Sequence, residues 1–313
     1  MTLLPQSTIQ QIAMTRFPIN RAKIGTKQGY HRSLFTGSSN EFSQHRQYCP
    51  GDEPKRIDWR VLARTDRLMV KQYDQETNLR ATLLIDSSAS MGYRNTKAKK
   101  TDAQNPTKLM HASRLAAALA WILIRQGDAV GMTSFSHQIT CRTTHASTPA
   151  HLHRLLASLE SLRPQQSSES ASVLHDIAEI LPSRGLIILC SDLFSDPESL
   201  RSALFHLQHR HHEIVVIQVL APDELDFPFN DSLCFRDMEC NSQLFDVDTL
   251  AIRNEYRTQL TQHLKATEHA CCQVQADYLL TTTDQDVPDV LTKFLARRYA
   301  RTSGGLDPRG GTV

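Results

Sequence analysis

Four apolar runs constrain this chain more than any other feature: LRATLLID (79–86), AVGMTSF (129–135), LIILCS (186–191) and EIVVIQVL (213–220). A short, nearly unbroken apolar run is what a strand needs when helices cover both faces of a parallel sheet. Between and around these runs, 109–125, 150–162, 172–181 and 197–209 have the periodicity or apolar content of helices. Strand and helix alternate at crossover lengths. The expected fold is therefore α/β, a doubly wound and mostly parallel sheet with helices on both faces. A short edge strand at 138–143, a last strand at 273–281 and a closing helix at 287–300 complete the series.

Three stretches fall outside that rhythm. Residues 1–76 form an expected N-terminal extension: an amphipathic helix and polar connector to about 30, then a charged, β-rich segment. In that segment Pro50-Gly51-Asp52 signals a turn, and RLMVKQYDQE alternates as a half-buried strand does. Residues 77–300 make the main domain. It carries an inserted hairpin at 221–248 and a polar-faced helix at 249–268. The segment 94–108, RNTKAKKTDAQNPTK, reads as an exposed mobile loop, and the Gly-rich 301–313 as a disordered tail.

Charge and composition then exclude several functions. A formal net charge of +2 gives no field that draws the whole chain to nucleic acid. The basic 94–108 segment has no interleaved aromatic residues on which bases stack. The longest apolar run, LAAALAWILI (115–124), has 10 residues, half of what a membrane span needs. Seven cysteines in no framework spacing point to reduced thiols; with a polar N-terminus, the expected location is cytoplasmic.

In an open α/β sheet, ligands bind beyond the carboxyl ends of the strands. Two acidic positions stand at such ends: Asp86, in Asp86-Ser87-Ser88-Ala89-Ser90, and Asp192, after LIILCS. If their strands are neighbours, both carboxylates share one rim. The polar 167–170 segment, SSES, reaches the same rim. Alternate residues of an extended loop point one way, so Asp86, Ser88 and Ser90 present three oxygens together. That donor set suits a hard cation, Mg²⁺ or Mn²⁺.

DSSAS followed by Met91-Gly92 resembles the metal-ion-dependent adhesion site motif, Asp-x-Ser-x-Ser, of von Willebrand factor A domains. Upstream, Glu41, Phe42, Arg46, Tyr48, Pro50, Gly51, Asp52, Arg56, Ile57, Asp58, Trp59, Ala63, Arg64 and Lys71 match a longer signature. It resembles the bacterial family catalogued as domain of unknown function 58, whose genes commonly sit beside those of MoxR-type AAA ATPases. RGLIILCSDLF (184–194) and DYLLTTTD (277–284) look like the same family. The resemblance implies a von Willebrand factor A-like fold with metal ligands Asp86, Ser88 and Ser90 in the first loop and Asp192 in the third. Ser168 stands where relatives carry a threonine in the second loop. Glu169 beside it departs from the pattern, either as a competing ligand or as a charge that weakens attraction for an acidic partner.

The function this implies is a non-enzymatic, metal-dependent protein-binding module, an adaptor or co-chaperone of a MoxR-type AAA ATPase. The alternative is a Mg²⁺-dependent hydrolase or phosphotransfer enzyme built on Asp86 and Asp192, with Glu169 as its one candidate base. Phosphate-loop, nucleophile-elbow, dinucleotide and zinc-protease motifs are missing from the text. The histidines of LFHLQHRHHE (204–213) read as a solvated helix end, and the charged 46–64 block as a structural or docking network.

Overall fold

The computed structural model describes residues 3–19, 40–49, 54, 57–75, 79–96, 105–165, 170–230, 233–238 and 244–303. The chain divides into two compact units, Lys27–Asn78 on one side and Met1–Thr26 with Leu79–Val313 on the other. The first helix, α1 (Gln6–Ile12), thus belongs with the main unit rather than with a 1–76 extension. Leu3, Leu4, Ile12 and Phe17 around it are buried in the main core, which draws the segment there.

The smaller unit pairs β1 (Asn40–Gln47) with β2 (Met69–Gln75) as antiparallel strands. Between them lies a helix the alternation of apolar residues does not announce, α2 (Trp59–Thr65). Its N-cap is Asp58, which accepts from the Arg60 and Val61 amides at 3.0 and 3.3 Å and faces His45 Nε2 at 3.0 Å. Within the signature, then, Asp58 starts a helix. Pro50, Gly51, Asp52 and Arg56 lie outside the described residues.

The main unit is built on β3 (Arg80–Asp86), α3 (Lys108–Arg125), β4 (Ala129–Phe135), β5 (Ile139–Ala146), α4 (Pro149–Ser161), α5 (Ser170–Ile180) and β6 (Gly185–Ser191). It continues through α6 (Pro197–His209), β7 (His212–Leu220) and a short helix α7 (Pro222–Asp226). The hairpin of β8 (Leu233–Arg236) and β9 (Leu244–Val247) follows. Then come α8 (Thr249–Gln273), β10 (Asp277–Thr282) and α9 (Val287–Ser303). The sheet runs β10-β7-β6-β3-β4-β5, parallel except for the antiparallel edge strand β5.

Period-two alternation explains why the strands are apolar throughout. Leu83, Ile85, Ile188, Val215 and Ile217 enter one core layer, with α3, α4 and α9; Leu84, Ile187, Leu189, Ile214 and Val216 enter the other, with α5 and α6. Helix α3 packs on the sheet through Ala112, Ala116 and Ala120 as well as its leucines. At the far end of the sheet, a Cβ on Gly185 would stand 2.5 Å from the Arg80 carbonyl oxygen, so close strand approach requires glycine there.

Several boundaries differ from the sequence reading. Helix α8 extends to Gln273, past 268, and the last strand begins at Asp277 rather than 273; buried Cys271 and Val274 hold the extra turn against the core. The closing helix continues to Ser303, so 301–303 are not tail, and 304–313 lie outside the described residues. Most consequential is 94–108. Residues 97–104 lie outside the described set, but Asn105 is buried and Lys108 opens helix α3 with 1% exposure. Thr107 caps that helix, accepting from the Met110 amide at 3.1 Å.

Candidate functional site

Strands β3 and β6 are parallel neighbours, with Ile85 opposite Cys190, so their carboxyl ends deliver Asp86 and Asp192 to one rim. Both are buried, at 1% and 3% exposure. The loop after β3 is fixed from several sides. The Ser87 amide and hydroxyl both donate to the Phe135 carbonyl, at 2.7 and 2.8 Å, tying the loop to β4. The Ser88 amide donates to Asp86 Oδ1 at 2.8 Å, and the Ser191 hydroxyl donates to Asp86 Oδ2 at 2.6 Å. A 3₁₀ turn, Ala89–Gly92, then buries Met91 and brings Ser90 Oγ to 3.1 Å from Ser88 Oγ.

The second loop starts at this rim. The Gln165 amide donates to the Ser87 carbonyl at 2.8 Å, and Gln165 bridges Ser88. Ser168 and Glu169 themselves lie outside the described residues.

Sequence reasoning missed one functional group here, Lys108. Its ammonium donates to Asp192 Oδ2 at 2.9 Å and to Glu224 Oε1 at 2.8 Å, and stands 5.0 Å from the centre of the Phe194 ring. Burial alone would pull the lysine pKa down, but the charges of Asp192 and Glu224 outweigh it and hold the pKa above its ordinary value. Lys108 is a charged, ion-paired group. The signal available was Pro106-Thr107 just ahead of an apolar helix, which places Lys108 on the first turn. Its partners are 84 and 116 residues away, so nothing local could have named them.

Next to Lys108, Asp223 ties the inserted segment to the motif loop. Its Oδ2 accepts from the Tyr93 hydroxyl, the Thr96 amide and the Thr96 hydroxyl at 2.8, 3.0 and 3.1 Å. Its Oδ1 is buried without a hydrogen-bond partner.

Does this donor set fit a divalent cation? Asp86 is pushed up to about 6 from its ordinary 3.8, first by burial and then by the charge of Asp192, with hydrogen bonds from Ser191 and Ser88 opposing. The ammonium of Lys108 is spent on Asp192 and Glu224. A buried carboxylate whose charged form is disfavoured, beside two hydroxyls, matches the oxygen chemistry of Mg²⁺ or Mn²⁺. The residues fit. Among the described residues no cluster of three or more His, Cys, Asp or Glu is placed to hold a metal, so such a site would depend on hydroxyl oxygens as much as on carboxylates. The histidines at 204–213 form no such cluster: His206 faces His175, with Nδ1 atoms 3.4 Å apart.

The six-stranded sheet, its antiparallel edge and the aspartate-serine loop at its carboxyl rim define a von Willebrand factor A-like domain. The chain belongs to the family described as "Protein of unknown function DUF58", which matches residues 44–266. An uncharacterized protein of Mycobacterium tuberculosis is 26% identical over 282 residues, 88% of this chain and 84% of that protein. Two solved structures resemble the fold. One is an aerotolerance-related membrane protein from Bacteroides fragilis: 18% identity, TM-score 0.44, 70% of this chain and 99% of that one. The other is the vWF domain of the type V pili tip protein Mfa5 from Porphyromonas gingivalis: 12% identity, TM-score 0.34, 75% and 97% covered.

These comparisons correct the expected cytoplasmic location. The similar structure from Bacteroides fragilis is that of a membrane protein, and the cytoplasmic assignment does not stand. No disulfide joins the described cysteines, and no described helix is long and apolar enough to cross a membrane.

Proposed function

We propose that the chain is a non-enzymatic, divalent-cation-dependent protein-binding module that docks its partner at the carboxyl rim of the sheet. Asp86, Ser88 and Ser90 hold Mg²⁺ or Mn²⁺ directly, with Ser168 offered from the second loop and Asp192, paired with Lys108, lining the site from the third. The observation that carries the reading is the burial of Asp86 beside Ser88 and Ser90, its pKa raised to about 6 while the neighbouring ammonium goes to Asp192. A bound ion with neutral hydroxyls around it keeps unspent positive charge, which a carboxylate of another protein satisfies. What the chain's residues do is orient: Ser191 and the Ser88 amide fix the Asp86 carboxylate, and Met91 anchors the turn that carries Ser90. The family's gene neighbourhood supports a MoxR-type AAA ATPase as the partner, with this chain as adaptor or co-chaperone.

The test is thermal unfolding with and without millimolar Mg²⁺ or Mn²⁺. Ion binding to the native state raises the midpoint by mass action, and Asp86→Ala abolishes the rise. A wild-type midpoint indifferent to both ions refutes the metal. Affinity capture with and without chelator tests the partner: recovery of an AAA ATPase in equal yield under both conditions refutes metal-dependent docking.

A further inference from the structure

Lys108 has more in its favour than an ordinary buried ion pair. It is the first residue of α3, 1% exposed, and its ammonium is within 2.9 Å of Asp192 and 2.8 Å of Glu224. Those two carboxylates come from different places, the end of β6 and the start of the inserted segment. Asp192 is held in turn by its backbone, whose carbonyl accepts from Gln218 Nε2 at 2.7 Å. Glu224 is held by the Ala221 amide on its other oxygen, at 2.6 Å. The ammonium therefore sits in a fixed cradle and cannot swing to solvent without abandoning buried Asp192 and half-buried Glu224.

We propose that Lys108 is a positioning residue for the cation: its fixed charge reserves Asp192 and Glu224, so that Asp86, Ser88 and Ser90 are the direct ligands, and its repulsion weakens the site for multiply charged ions. This rests on the reading of the rim as a divalent-cation site. The charge of Asp192 reaches Asp86, but the ammonium holds Asp192 Oδ2 and Glu224 Oε1, so neither of those acid oxygens is offered to the ion. A weakly held ion with few carboxylates in its shell is the kind that draws a ligand from outside, so the lysine makes the site depend on its partner. Removal of the ammonium frees Asp192 and lifts a charge–charge repulsion that scales with ion charge.

The experiment uses the full chain, stripped of metal with chelator and dialysed. Mn²⁺ binding is read from the electron paramagnetic resonance signal of the free ion, and Tb³⁺ binding from its luminescence. Lys108→Met keeps most of the stem and removes the charge. Lys108→Arg keeps the charge. Lys108→Met with Glu224→Gln removes the ammonium together with one of its acids, and takes the place of the single variant if circular dichroism shows that one unfolded.

The expected result is Mn²⁺ binding tightened on the order of tenfold or more in Lys108→Met. The Tb³⁺ gain should be larger, roughly half again on a logarithmic scale, because the repulsion is proportional to charge. Lys108→Arg should stay near wild type. A purely structural lysine would move folding stability without moving the Mn²⁺-to-Tb³⁺ ratio. If the wild type binds Mn²⁺ and the folded charge-removing variant binds it equally or more weakly, the role of Lys108 is overturned while the site survives. If no form binds either ion, both the site and the role of Lys108 are overturned.

Discussion

Replacement of Asp86 by asparagine should stabilise the protein in chelator and destabilise it, relative to wild type, in Mg²⁺. Asp86 rises from 3.8 to about 6, mainly through burial and then through Asp192. A raised carboxyl pKa means that the folded state holds its proton more tightly than the unfolded chain does. The contribution of Asp86 to stability is therefore largest below pH 4, falls as pH climbs from about 4 to about 6, and is level above that. The full fall is about 3 kcal/mol. Asparagine is neutral at every pH and escapes it. Its oxygen can still accept from the Ser88 amide, as Oδ1 does at 2.8 Å. Its amide must donate where Oδ2 now accepts from Ser191 at 2.6 Å, a rearrangement that costs about 1 kcal/mol. The net gain at pH 7.5 in chelator is then about 2 kcal/mol, or roughly 3 °C in midpoint. Denaturant unfolding of both proteins from pH 4 to 8, with chelator and with saturating Mg²⁺, reads the difference directly. With Mg²⁺ the order reverses, because the ion rewards the charged carboxylate that the variant lacks. An Asp86→Asn protein less stable than wild type at pH 7.5 in chelator would refute the reasoning. So would a wild-type-minus-variant difference that stays flat between pH 4 and 6.

Two further substitutions test how the sheet is closed. Arg298 is 3% exposed and pairs with Glu213, itself 1% exposed, and with Asp277, while its Nε donates to the Pro18 carbonyl at 2.8 Å. Arg298→Met should cost about 3–5 kcal/mol by taking the guanidinium away from buried Glu213, and adding Glu213→Leu should recover much of it in urea unfolding. Gly185→Ala places a methyl 2.5 Å from the Arg80 carbonyl oxygen, so β3 and β6 must separate at that end; a loss of about 1–3 kcal/mol is expected, and an unchanged melting midpoint would mean the strands are less tightly spaced there.

What could be read from the sequence depended on range. Strands β3, β4, β6 and β7 were legible because burial on both faces writes itself into consecutive residues. Helix α2 was not. Its start depends on a capping aspartate inside a charged stretch, and Trp59 on it is 61% exposed, so no apolar stripe marks it. The first helix was visible, but its membership in the main unit was not: Leu3, Ile12 and Phe17 are only a few apolar residues, and their burial depends on surfaces from α3 and α9.

The candidate site divides the same way. The sequence by itself determined the aspartate-serine loop, because three oxygens at alternate positions of one segment are a local property. It also determined that Asp192 would close a strand. Only the tertiary structure decided that these strands are neighbours, and so that the charge of Asp192 raises the cost of ionising Asp86. Only the tertiary structure could turn Lys108 from the last residue of a basic, apparently solvated stretch into a buried counter-ion. A charge shows its environment through partners, and these partners, Asp192 and Glu224, meet it only when the sheet has formed.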